Sequence, residues 1–91
     1  MDIIKGFMDV EIKPGQIWID GSNAKYGDIA RFCVTQCGVT KRGGVPWVEL
    51  TNCAHMRKVF ANGQDQINSF TLDLELTDEK PAPELFGGYA I

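Results

Sequence analysis

Histidine, basic charge and long apolar runs are all scarce in this sequence. One histidine, His55, stands among 91 residues, which excludes a metal site built on several imidazoles. No stretch approaches the ~20 consecutive apolar residues that a helix needs to cross a bilayer, so no membrane span is expected. Lys and Arg together number 9 against 12 Asp and Glu, a formal net charge of −3. The molecule as a whole therefore exerts no long-range pull on nucleic acid or an anionic membrane. Met1-Asp2-Ile3-Ile4-Lys5-Gly6 has an early acid and a short apolar run where a secretory signal would have a basic region and a longer one. A phosphate-cradling loop is missing too, because Gly43-Gly44 follows Lys41-Arg42 and precedes no Lys-Ser or Lys-Thr. Cysteine occurs three times, Cys33, Cys37 and Cys53. An odd number with no secretory signal points to a reduced, cytoplasmic protein.

What the chain does have is strands and turns. Hydrophobic residues make up 44% of it, and a chain this short buries roughly 60–65% of its unfolded surface, enough for one modest core. Lys13-Pro14-Gly15-Gln16 is a tight corner, with proline presetting φ and glycine taking the positive φ that a type II turn requires. Gln16 to Asp20 then reads as a buried strand carrying Trp18. Met8 to Lys13 alternates apolar and charged residues and is expected as a half-buried strand. Gly21 to Asp28 is a polar loop. Ile29 to Val39 and Val45 to Thr51 are β-rich and flank Lys41-Arg42-Gly43-Gly44. A two-residue Gly43-Gly44 loop would set Val39 opposite Val48 and Cys37 opposite Leu50. Pro46 belongs at a strand start or edge. Met56 to Phe60 is a short strand or a single helical turn, and Asn62-Gly63 marks a turn. Phe70 to Thr77 alternates most cleanly, with Phe70, Leu72, Leu74 and Leu76 expected toward the core. Residues 1–77 form the expected domain. Residues 78–91 follow as a Pro-rich linker and an apolar tail, Leu85 to Ile91.

The Lys13-Pro14-Gly15-Gln16-Ile17-Trp18 segment resembles the opening of small SH3-like barrel proteins, many of them phage- or prophage-borne. The resemblance spans residues 13–77 and implies an all-β fold, a small SH3-like barrel of five to six short antiparallel strands with an extended C-terminal tail.

Catalytic and metal chemistries find little support. Cys33, Cys37, Cys53 and His55 are zinc-ligand types. On one strand, however, Cys33 and Cys37 lie about 13 Å apart, too far to share an ion, and free cysteines are commonly buried small hydrophobes. A zinc-stabilised domain is therefore a distant alternative, and no cofactor is expected. Cys33 or Cys37 could reach Cys53 across the hairpin, but a reducing compartment disfavours that disulfide. Cys53 and His55 could pair as nucleophile and base, yet no orienting acid or oxyanion loop stands near them in sequence.

Two surfaces and the tail remain for binding. Asp73, Glu75, Asp78 and Glu79, with the tail residues Phe86 and Tyr89, are the expected contacts for a protein partner, acids steering a basic surface. The expectation is thus a non-enzymatic interaction protein that binds, and in binding could inhibit, a host or phage protein. Lys41, Arg42, Trp47, Arg57 and Lys58 form the alternative, a nucleic-acid-binding set in which an aromatic stacks on bases and cations meet phosphates. Net acidity weakens that alternative. The apolar tail could also join copies of the chain into a homo-oligomer.

Overall fold

The computed structural model describes residues 3–80, and the expectations for Phe86, Tyr89 and the rest of residues 81–91 lie outside the described residues. Among the described residues the architecture is mostly β, with seven strands and one α-helix in the order β1 (Ile4–Lys5), β2 (Glu11–Ile12), β3 (Ile17–Ile19), β4 (Arg31–Val39), β5 (Pro46–Asn52), β6 (Lys58–Asn62), α1 (Gln64–Asp73) and β7 (Glu75–Leu76). β1 and β2 make a small ribbon, and the other strands form one antiparallel sheet in the order β6-β5-β4-β3-β7. Among the described residues the sheet is open, with β6 and β7 as its edges, and α1 packs against β5, β6 and β7.

The Pro-Gly corner forms as expected. Gln16 N–H donates to Lys13 O at 3.3 Å, and Gly15 sits at φ 96°, the type II geometry. The Gln16 side chain fastens it. Its Oε1 accepts from Lys13 N at 3.0 Å and from Trp18 Nε1 at 3.2 Å, while its Nε2 donates to Glu11 O at 2.9 Å. Trp18 is buried and meets Phe70 edge-on, with ring centroids 5.3 Å apart. It belongs to one buried core cluster with Ile4, Ile12, Val34, Val48, Leu50, Ala61 and Ile67.

Three expectations are corrected. Met8 to Lys13 is not one strand: Phe7–Asp9 is a 3-10 turn with Met8 and Asp9 at φ 59° and 61°, and pairing starts only at Glu11. Left-handed backbone at two successive residues turns Ile12 back onto Ile4.

The hairpin register differs by two residues. Thr40 N–H bonds Val45 O across a four-residue turn, setting Val39 opposite Pro46 and Cys37 opposite Val48, while a bulge between Val34 and Gln36 sets Val34 opposite Leu50. Glycines at both Gly43 and Gly44 accept the positive φ of the longer turn. Pro46 does start its strand.

Phe70 to Thr77 is not a strand. Phe70 to Asp73 finishes α1, and only Glu75 and Leu76 pair with β3. Ile67, Phe70 and Leu74 lie along the helical period and face the core, whereas Leu72 and Leu76 are exposed.

Candidate functional site

The acidic residues named from the sequence are placed apart. Asp73 is the last residue of α1, Glu75 is on β7, and Leu74 between them is extended. They do not share a strand face. Asp78 is exposed, and Glu79 is engaged: Arg31 donates to it through Nε at 2.8 Å and Nη2 at 3.2 Å. That fork raises the Arg31 pKa, chiefly through the hydrogen bond.

A different acidic group forms around the Gly21–Ala30 segment of 3-10 turns, which is kinked at Gly27. Asp20 caps its start. The carboxylate accepts from Ser22 N at 3.1 Å, Ser22 Oγ at 2.8 Å and Asn23 Nδ2 at 2.7 Å. The bonds from Asn23 and Ser22 hold its pKa below the ordinary aspartate value. Glu75, opposite Ile19, lies over Gly21, where its carboxylate is 3.6 Å from the position of an added Cβ. Asp28 belongs to the same segment, and its charge is felt at Arg31 and Cys53. Among these acids the segment exposes two large side chains, Tyr26 at 57% and Ile29 at 60%. Lys25 is its one basic residue and stands 5.2 Å from the Tyr26 ring. The segment thus offers exposed apolar side chains and, with its cap Asp20 and the overlying Glu75, more acids than bases.

The basic and aromatic set is divided. Trp47 lies opposite Gly38 with its indole over the glycine, and Lys41 and Arg42 occupy the turn just beyond. Lys58 is opposite Thr51. Thr51 is four steps along β5 from Trp47, about 13 Å at strand rise, so Lys41 and Arg42 stand far from Arg57 and Lys58. Between the groups lies Glu49, 5% exposed, with Phe60 opposite it on the same face. Thr35 Oγ1 donates to Glu49 Oε2 at 2.6 Å and is 3.0 Å from Thr51 Oγ1. One hydroxyl carries one proton, so Thr51 donates to Thr35. Lys58 Nζ is 3.7 Å from Glu49 Oε1. A carboxylate at the middle of this strip pairs with Lys58 and repels phosphate.

Cys53 and His55 do not form an activated pair. Burial pushes the Cys53 thiol up, and Asp28 adds to the shift; a nucleophilic thiol needs the opposite. His55 Nδ1 accepts the Arg57 N–H at 3.1 Å. Cys33 is fully buried and pushed up to about 11, mainly by desolvation. Among the described residues, no group of three or more His, Cys, Asp or Glu side chains is placed to hold a metal.

Sequence reasoning passed over Tyr26 and Asp28 because a glycine-bounded polar stretch reads as a plain loop, and took Asp20 and Ile29 as strand ends, whereas Asp20 caps the 3-10 segment and Ile29 belongs to it. The available signal was Tyr26, a large side chain inside a polar loop. Compared with protein-family models, with curated proteins and with solved structures, the chain matches none.

Proposed function

We propose that this chain is a non-enzymatic interaction protein that binds a basic protein partner at the Gly21–Ala30 segment. One observation carries the reading: Tyr26 and Ile29 are exposed on a segment that is capped by Asp20, contains Asp28 and has Glu75 over its first glycine. Exposed apolar anchors accompanied by more acids than bases suit a protein partner of basic charge, since anchors supply affinity and the acids steer encounter. We also propose that the fold is an open form of an SH3-like barrel. Its support is the strand order, four consecutive strands with a last strand returning, after α1, beside the first. Free cysteines at all three positions suit a reducing, cytoplasmic setting.

The test is affinity capture from lysate of the source cells, with wild type beside Tyr26→Ala/Ile29→Ala and Asp28→Lys/Glu75→Lys variants. A single protein at stoichiometric yield is expected with wild type, lost in both variants and weakened by salt. Absence of any stoichiometric protein, or equal capture by all three, overturns the reading. Trp47 and Phe60 on one face, with Lys58 beside them, support nucleic-acid binding as the second reading. It requires a gel shift of single-stranded oligonucleotide at ~50 mM salt, where phosphate contacts are strongest.

A further inference from the structure

We propose that β6 is a homodimer contact, at which two copies of the chain pair antiparallel to join their sheets. The argument starts from the direction of the backbone groups. Asn52 N–H bonds Arg57 O, and Gly63 N–H bonds Pro46 O. In an antiparallel ladder the residues facing the neighbour alternate, so Arg57, Val59, Ala61 and Gly63 face β5. Lys58, Phe60 and Asn62 face away from the sheet. The Asn62 N–H is taken by Gln66 Oε1 at 2.9 Å. Lys58 and Phe60 therefore offer two donors and two acceptors, spaced two residues apart, along an edge that no strand occupies among the described residues.

That set is complementary to itself. With Val59 opposite Val59 of the partner subunit, Lys58 falls opposite Phe60 of the partner subunit, and the reverse. All four groups on each copy are then used, and the Asn62–Gln66 bond is left intact. No like charges meet directly: the lysine stem lies against a phenyl ring, and valine meets valine. Val59 and Phe60 are each 50% exposed without this contact. Pairing stops at Met56, whose φ of 62° is outside strand geometry.

The two edges of the sheet differ in their defences. Natural sheets blunt an open edge by keeping it short, or with proline, a bulge or charge. β7 has two residues, one of them Glu75. β6 has five, with no proline and no shift in its register, and its one charge, Lys58, is drawn to Glu49. Val59 and Phe60 also line a shallow groove that runs to Phe70 on α1, so a copy docked at this edge covers more than the strand.

The test is molar mass by light scattering over a concentration series of the full chain. Wild type is expected to rise toward twice its 10.1 kDa. Val59→Lys sets two lysines against each other across the twofold and stays monomeric throughout. Phe60→Pro removes an outward N–H that β5 does not use and is likewise monomeric, with thermal unfolding confirming that both variants fold. Hydrogen exchange at the Lys58 and Phe60 amides should slow as concentration rises. Wild type that stays monomeric, or a dimer that both variants retain, overturns the proposal. So does protection of those amides in a monomer, which would mean that the chain covers the edge itself.

Discussion

Gln16 is the side chain on which the Pro-Gly corner depends. It joins the turn, Glu11 at the start of β2 and the indole of Trp18 through three hydrogen bonds. Trp18 is 2% exposed, so without Gln16 its N–H has no partner in a dry site. An unsatisfied buried donor costs about 1–3 kcal/mol. Gln16→Ala is expected to lower stability by that amount in urea unfolding, and Gln16→Glu, which keeps the acceptor for Trp18, by less. Gly15→Ala should cost about 1–2 kcal/mol, because an L residue at positive φ meets its own carbonyl. Equal stability of Gln16→Ala and wild type would show that the corner holds without its side chain.

At the scale of elements, α1 is the main departure from the alternating pattern of Phe70 to Leu76. Alternation and helical period overlap over a few residues: Phe70 and Leu74 satisfy both, and only Leu72 separates them. In a strand Leu72 would share the core face with its alternate neighbours; in the helix it is 59% exposed. Ile67, three residues before Phe70, belongs to the helical set and is fully buried. The two arrangements give opposite mutational outcomes. Leu72→Gln is expected to change stability by less than about 0.5 kcal/mol, as surface substitutions do. Phe70→Ala should cost about 3 kcal/mol or more, from lost burial and the lost edge contact with Trp18. A large loss at Leu72 in thermal unfolding would overturn the helical assignment. The hairpin was legible to within two residues, since Gly43-Gly44 announces the turn but not its length.

For the whole molecule, the sheet carries a pH response at its centre. Cys33 on β4 is fully buried, and its thiol is pushed from 9.0 to about 11, mainly by desolvation. The raised value means the fold holds this proton more tightly than the unfolded chain does. Below pH 9 both states keep it and the fold loses nothing. Between pH 9 and 11 the unfolded chain gives it up while the folded chain does not, so stability falls as pH rises through that window. Cys33→Ala is expected to flatten this alkaline decline while lowering stability at neutral pH through the cavity it leaves. A decline of unchanged slope in the variant, followed by denaturant unfolding, would assign the response to other groups. The place of Glu75 was illegible in the sequence: it lies more than fifty residues after Asp20 and comes to the start of the Gly21–Ala30 segment only because β7 returns beside β3.

By itself the sequence determined the local geometry: the Pro-Gly corner, β3, the strands either side of the Gly43-Gly44 turn, and Trp18 in the core. These follow from φ preferences, side-chain branching and apolar content, which act over a few residues. The tertiary structure alone decided whether Phe70 to Asp73 is helix or strand, where the register bulges, that Glu75 returns beside Gly21, and which strands form the sheet's edges among the described residues. Each of those depends on what a residue packs against, and for Phe70 that is Trp18, from the far side of the chain.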